Sequence, residues 1–587
     1  MRLRSRNIGV AYAYEPILEE KSIRLMHLEP ALHVDAPLHF TFTTDRIETL
    51  LAQYEAISYT WGEPKLECPL YLDSADGACI MVTRNLDTAL RRLRRPTARR
   101  ALWADAVCID QSDDAEKSKQ IPLMADIFRG ASTVLAWLGG GAEEERGMQI
   151  LDQLSRRPKP TPYDLEDGDI EFLEQDNNMN LIHQFLRLAW FTRLWVIQEI
   201  VMNADVVLIC GASEISWARF ATILRTHKDL IEKPLDLTEH SRLEGLYTVA
   251  QLWAQDTLEM SFFPFRHTLL GLVETFHSYA CTDPRDRIFA LYSMASDAQS
   301  RSKSPDRRYM SMDVDYSSDV RQVYQDFAVA CIISVHSLRP ITILHAVLAR
   351  NHVPTPDDWP SWVPDWRVGK TRSLVDLARW VPDVDIFMVD LDVVAIRPHC
   401  DSELTCIVDT IMPLIDIDDA VSYVSSLRAQ LEVWPQSAVQ GLFQNITRLT
   451  DEEFGPEDYW WWWSFDSIMA GKETDDELFL SQARRLQDVM RGQRLFVATR
   501  PQESPILGIG SGFMRKGDEV VVLESWSPHV SLVSQRTLVF RRTARTRVVR
   551  KERVNTHRLI GMAYLAQPDG ICMRCLNDSK YPRLYLE

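Results

Sequence analysis

The chain has 587 residues, 46% hydrophobic and 25% charged, which is ordinary globular composition and enough length for two to four domains. Its net charge of −18 argues against non-specific nucleic-acid binding, which relies on a basic surface. Ten scattered cysteines fit a reduced compartment, no apolar run is long enough to span a bilayer, and residues 1–20 carry no secretory pattern, so a cytoplasmic protein off the membrane is expected.

Ile23 to Pro30 alternates like an edge strand, and Tyr54 to Gly62 reads as a strand running into a Gly-Glu-Pro turn. Asn85 is expected to cap a helix whose Leu86, Ala89, Leu90 and Leu93 keep helical spacing. Ala101 to Ile109 reads as a second strand with Asp105 lodged within it. Ser112 to Asp114 caps the next helix, which Pro122 must kink or restart. Thr133 to Leu138 is a third strand, ended by Gly139-Gly140-Gly141, and a helix begins at about Glu143. Phe191 to Met202 is apolar nearly all round and predicts one buried helix, with the strand Val206 to Cys210 after it. Alternating strands and helices imply a mostly parallel α/β sheet, with ligands expected beyond the carboxyl ends of its strands. Trp61, Gly62, Cys108, Asp110 and Gln111 all fall at such ends.

Beyond Ser213 the pattern becomes helical, residues 370–490 read as acidic and helical, and the last hundred residues break into short β-rich runs that suggest a small antiparallel barrel or sheet. The run Tyr459 to Trp463 reads as core or interface. Standard motifs name no reaction. Val368-Gly369-Lys370-Thr371 lacks the first glycine of a phosphate loop, and Gly508 to Gly512 lacks dinucleotide spacing. Cys572 and Cys575 stand alone without a second ligand pair, so no metal site is expected. Cys108 has no histidine near it in sequence and reads as a small buried residue more readily than as a nucleophile. Glu199, beside Trp195 in an apolar helix, needs an explanation, because a buried carboxylate must be paired or give up its charge. It is either a core ion-pair partner of a residue such as Arg193 or a functional carboxylate.

Three long blocks occur in order: Tyr54 to Gly62 (YEAISYTWG), Leu102 to Gln111 (LWADAVCIDQ) and Arg193 to Glu199 (RLWVIQE). Together they resemble the fungal heterokaryon-incompatibility (HET) domain. TDPRDRIFALYSMA from Thr282, DVDYSSDVRQVY from Asp313 and PSWVPDW from Pro360 are similar to segments carboxyl-terminal to that domain in the family's longer members. Lys117 and Phe128 stand where arginine and tyrosine are common. The resemblance implies a HET domain at 1–212, with core blocks at 54–211, and a helical extension at 213–369. An acidic helical region at 370–490 and a β-rich region at 491–587 complete the expected organisation.

It also implies a fungal self/non-self recognition protein that triggers cell death. The family has been likened to the TIR domain, a flavodoxin-like fold, some members of which cleave NAD with a glutamate. On that analogy Glu199 and Asp105 are the expected catalytic residues. Tyr59, Trp61, Gly62, Cys108, Gln111 and Trp195 are the expected substrate-binding residues. No cofactor is expected, NAD being a substrate. The expected partner is a second copy of the chain or another incompatibility protein, with no nucleic acid and no membrane. The alternative is a non-catalytic module that recruits a death effector through a homotypic interface. A chain ending near Ala295 retains every HET block and is expected to keep death-inducing capacity.

Overall fold

The computed structural model describes residues 10–73, 77–157, 171–173, 177–228, 231, 237–257, 268–299, 310–312, 314–333, 342–350, 353, 356, 358–370, 384–390, 393–398, 405–413, 415, 417, 419–434, 439, 484, 487, 493–499, 505–525, 534–549, 552–565 and 584–586. The tryptophan run at 460–463 and the Cys572–Cys575 pair lie outside them. The chain divides into two compact units, Met1–Ala298 with Asp313–Ser318, and Gln299–Met312 with Asp319–Glu587.

The first unit is built on a nine-stranded sheet. Its strands in chain order are β1 (Ser22–Leu28), β2 (Leu38–Arg46), β3 (Glu55–Tyr59), β4 (Leu66–Leu72), β5 (Cys79–Thr83), β6 (Arg100–Trp103), β7 (Thr133–Gly139), β8 (Val206–Cys210) and β9 (Ser213–Ser216). They lie in the order β5-β4-β2-β1-β6-β3-β7-β8-β9. The central group β6-β3-β7-β8 is parallel throughout. Antiparallel β1 and β9 flank it. The centre is parallel because helical segments connect its strands, and β3 and β7 are buried on both faces, as doubly covered strands are.

Helix α1 (Arg84–Leu93) buries Leu86, Ala89, Leu90 and Leu93, each leucine contributing roughly 1.5–3 kcal/mol. Its cap is Thr83, whose side chain accepts from the Leu86 N–H, so Asn85 lies inside the first turn and is free for another task. The expected strand through Asp105 stops at Trp103, and Asp105–Cys108 forms the short helix α2. The reason is electrostatic: in mid-strand the Asp105 carboxylate would enter a buried sheet, whereas at the helix start it accepts the Ala106 N–H at 2.7 Å. Helices α3 (Asp114–Gln120) and α4 (Met124–Gly130) are separated by one 3-10 turn carrying Pro122, the restart that proline required.

Four more helices come next: α5 (Ala142–Ser155), α6 (Asn178–Leu186), α7 (Trp195–Val201) and α8 (Trp217–Thr226). The single helix expected over Phe191 to Met202 is instead a 3-10 turn, Ala189–Thr192, and α7. Arg193 between them is extended, because it pairs as a β-bridge with Ala280, and Ala280 receives the neighbouring Leu194 N–H at 2.9 Å. Helices α9 (Leu237–Thr257), α10 (Leu269–Thr275) and α11 (Asp286–Tyr292) complete the helical middle of this unit.

The second unit corrects the helical reading of residues 370–490. Three strands, Val384–Asp390, Val393–Pro398 and Thr405–Ile411, fall there beside one described helix, Ala420–Leu431. Acidic residues mask β-branched runs such as VVAI and CIVDTI, whose strand character depends on partners distant in sequence. Thr405–Ile411, Gln493–Thr499, Ile506–Ser511, Glu519–Ser525, Ser534–Val549 and Glu552–Leu565 pair antiparallel in a ring, closed by pairing between the last two. In the same unit the PSWVPDW segment buries Trp362 and Trp366 beside the preceding Trp359, and the ring of Tyr324 meets that of Trp366 edge-on at 5.1 Å.

Candidate functional site

Counted along the chain, the parallel strands β3, β6, β7 and β8 lie in the order 2-1-3-4, so the direction of winding reverses between β3 and β7. A crevice opens at the carboxyl ends of strands where winding reverses. One side chain stitches that place together. Asn85 donates from its amide nitrogen to the carbonyl of Thr60 at 2.6 Å and to the Thr60 hydroxyl at 3.1 Å. Its amide oxygen accepts the indole N–H of Trp137 at 3.0 Å. Gly62 and Gly139 flank Asn85 in the left-handed conformation, at φ of 70° each, which only glycine adopts without cost.

Trp61 is held on this edge and is 39% exposed. Its indole N–H donates to Oδ2 of Asp105 at 3.0 Å. Gln111 braces the same turn, donating to the Asp105 carbonyl at 2.9 Å. Tyr59 is buried beneath them, and burial together with the nearby Asp105 charge holds its phenol well above its ordinary pKa.

Glu199 lies one layer deeper, on α7, and is 4% exposed. Its Oε2 accepts from the hydroxyl of Ser58 in β3, and that hydroxyl oxygen accepts the Trp190 indole N–H at 2.8 Å. Burial pushes the Glu199 carboxyl up to about 7, against the opposing pull of Arg193 and of the Ser58 bond, with Asp105 adding a small rise. Arg193 does not pair with it within 4.0 Å, the distance of an ion pair. The guanidinium instead donates to the carbonyl of Tyr59. The core ion pair that would explain Glu199 as structural is therefore absent. A carboxyl poised near neutrality can stabilise positive charge when ionised or move a proton when not.

The amino-terminal end of α7 is held by a second buried carboxyl. Asp286 on α11 accepts the Trp195 indole N–H at 3.1 Å and the Tyr316 phenol at 2.6 Å, and burial raises it to about 6. Gln198 donates to the Ser293 hydroxyl at 2.9 Å. Trp195 thus turns toward α11 rather than toward Trp61.

Elsewhere, Arg24 on β1 is 2% exposed and donates to both carboxylate oxygens of Glu116, at 2.9 and 3.1 Å, and to the Cys108 carbonyl at 2.7 Å. Cys108 is fully buried behind that pair, and burial pushes its thiol up to about 12, the opposite of an activated nucleophile. The Gly139-Gly140-Gly141 turn precedes α5, but Glu144 accepts the Gly141 N–H at 2.7 Å and Glu145 the Ala212 N–H at 3.1 Å. Its own carboxylates occupy the place where an anion would bind. Among the described residues no group of three or more His, Cys, Asp or Glu is placed to hold a metal.

Of the residues expected from sequence, Glu199, Asp105, Tyr59, Trp61, Gly62 and Gln111 gather around this edge, joined by Ser58, Arg193 and Asn85. Cys108 and the indole of Trp195 point elsewhere. Ser58 carried no signal of its own, being one serine in a strand. Asn85 was legible only as a cap.

An α/β domain with a near-neutral buried carboxyl behind a strand-edge tryptophan is the class this unit defines. Residues 54–199 match the family model described as heterokaryon incompatibility protein (HET), a span that ends on Glu199. Heterokaryon incompatibility protein 6, OR allele, of Neurospora crassa is 28% identical over 515 residues, covering 75% of this chain and 71% of that protein. Residues 54–199 are thus similar to a HET domain, and most of the chain is similar to that heterokaryon incompatibility protein. No solved structure matches the chain. No helix among the described residues is long and apolar enough to cross a membrane.

Proposed function

We propose that the chain is a fungal incompatibility effector whose HET domain triggers cell death by hydrolysing NAD at the nicotinamide–ribose bond. Water adds to the ribose carbon as neutral nicotinamide leaves with the bonding pair, giving nicotinamide, ADP-ribose and a proton from the water that passes to solvent. Positive charge develops on the ribose as the bond breaks, and an ionised Glu199 stabilises it, as carboxylates do in glycoside hydrolysis. Asp105 is the second polar group of the site, Trp61 its stacking wall and Tyr59 its floor.

The observation that carries this reading is Glu199 itself, a buried carboxyl pushed up to about 7 with no counter-ion within pairing distance among the described residues. Structural carboxylates are normally paired, and unpaired ones mark functional sites. The 2-1-3-4 order of the parallel group is the opening of the flavodoxin-like order 2-1-3-4-5, which supports the TIR analogy at the level of fold.

One observation favours the second reading, a non-catalytic module acting through a homotypic interface. Glu199 is 4% exposed and already receives the Ser58 hydroxyl, so it serves equally as a buried strut. Purified protein incubated with NAD, alone and with self-association forced, separates the two. Nicotinamide release that Glu199→Gln abolishes is the expected result. No release in either condition overturns the catalytic reading and leaves the module.

A further inference from the structure

We propose that Asp286 and Tyr316 are positioning residues that fix how α7 presents Glu199, acting through the indole of Trp195. This deepens the NAD-cleaving reading and rests on it for its activity readout.

Trp195 and Glu199 are four residues apart on one helix, so their side chains lie one above the other on the same face. The helix has only two turns, Trp195–Val201, and its entry is not capped by any side chain. Its orientation must therefore come from outside. Ser58 holds the Glu199 end. Asp286 holds the Trp195 end, with Oδ2 on the indole N–H and Oδ1 on the Tyr316 phenol. Both oxygens of one buried carboxyl thus join α7 to the residues 314–318.

That strap is itself locked in place. Arg285, the neighbour of Asp286, donates to the carbonyls of Tyr316 at 2.6 Å and Ser318 at 2.8 Å, and its guanidinium lies 5.1 Å from the centre of the Tyr316 ring. Asp283 grips the same guanidinium through two hydrogen bonds, at 2.9 and 2.6 Å. The ring of Phe289 meets Tyr316 edge-on at 5.1 Å. The strap belongs to the first unit, while the chain on either side of it, Gln299–Met312 and Asp319 onward, belongs to the second. The arrangement gives the stretch from Thr282 to Tyr316 a role in the site that the HET blocks alone do not supply.

The charged and titratable groups facing Asp286 are Asp283, Arg285, Tyr316 and Cys281, and those facing Glu199 are Arg193 and Asp105. None of them is altered by Tyr316→Phe except the phenol itself. Loosening the Trp195 end admits water beside Glu199, which relieves its desolvation and lowers the pH at which it titrates.

The test uses the full chain and two readouts. The first is independent of any activity: the melting temperature of each protein is followed against pH, and subtracting the curve of its Glu199→Gln partner isolates the Glu199 titration. Tyr316→Phe, the mild variant, and Asp286→Asn are each expected to move its midpoint down by at least about half a pH unit. The second is NAD cleavage, where both variants are expected to lower kcat about tenfold or more with KM unchanged. Adding Trp195→Phe to Asp286→Leu, which removes both acceptor oxygens, is expected to cost nothing further, since both cut the same link. A midpoint unmoved in a folded Tyr316→Phe protein overturns the positioning role whether or not NAD is cleaved. A moved midpoint in a protein that never cleaves NAD keeps that role and sinks the catalytic reading instead.

Discussion

The hydroxyl of Ser58 donates to Oε2 of Glu199 across 141 positions of sequence, and no second hydrogen bond reaches that carboxyl among the described residues. Glu199→Gln keeps an oxygen for Ser58 to donate to and removes only the capacity for negative charge. If Glu199 stabilises a developing cation, NAD cleavage falls at least about a hundredfold while the folded state survives. The check is nicotinamide release and melting temperature measured on one preparation. A stable Glu199→Gln protein that cleaves NAD at the parental rate refutes the assignment.

Stability against pH carries a sign set by the two buried carboxyls. Folding raises Glu199 from 4.5 to about 7 and Asp286 from 3.8 to about 6, so the folded state holds these protons more tightly than the unfolded one. Their stabilisation is complete below the unfolded values and is lost as pH rises through the folded ones. For Glu199 the span is roughly 3 kcal/mol, at about 1.4 kcal/mol per unit. The melting temperature of the parental protein relative to Glu199→Gln is therefore expected to fall between about pH 4.5 and pH 7.5. A flat difference across that range contradicts the raised value.

Trp61 and Asp105 meet at the strand edge, and neither is a core residue. An Asp105 in mid-strand would cost about 3–5 kcal/mol on truncation. At the start of α2, half-buried, Asp105→Ala costs nearer ~1 kcal/mol, the worth of a carboxylate at a helix start. Trp61→Ala spares the core equally. In a double-mutant cycle on NAD cleavage the two substitutions are expected to be less than additive, because each alone breaks the 3.0 Å bond between them. Full additivity would mean that the bond has no part in activity.

Arg24 and Glu116 give the contrasting case. Both are buried, 2% and 8% exposed at the side chain, and Arg24→Met leaves the Glu116 carboxylate without its cation. A loss of about 3–5 kcal/mol is expected, read as a fall in denaturation midpoint. At a temperature where the variant remains folded, NAD cleavage per folded molecule should equal the parental rate.

A chain ending near Ala295 keeps every HET block but loses Tyr316, and with it the second hydrogen bond to Asp286 and both carbonyl partners of Arg285. A chain ending at Ser318 restores them. Of the two, the longer is expected to melt higher and to be the one with death-inducing capacity in cells. Equal melting and equal killing by the two would show that the strap is dispensable.

Local signals account for what the sequence revealed. Glu199 stood out because a carboxylate in an all-apolar helix demands a reason, and Trp61-Gly62 because a strand ran into a turn. ALWADAVCI reads as a strand because it contains no glycine or proline; the break at Ala104 depends on a backbone N–H that a sequence pattern does not display. Ser58, Asn85 and Arg24 act through partners far along the chain, and single polar residues carry no period to find. The strands between 384 and 411 pair with residues beyond 490, so their acidic composition was the louder signal.

The ring of six antiparallel strands in the second unit has no first or last member, because Ser534–Val549 pairs with Glu552–Leu565 as well as with Glu519–Ser525. Every strand in it is covered on both sides, and removing the final one uncovers two. A stop codon between residues 412 and 551 would therefore leave uncovered strand flanks on the chain that is made. Such alleles are expected to appear as insoluble protein cleared by the cell's quality control, whereas a chain that stops at Ser318 carries no ring strand and escapes that fate.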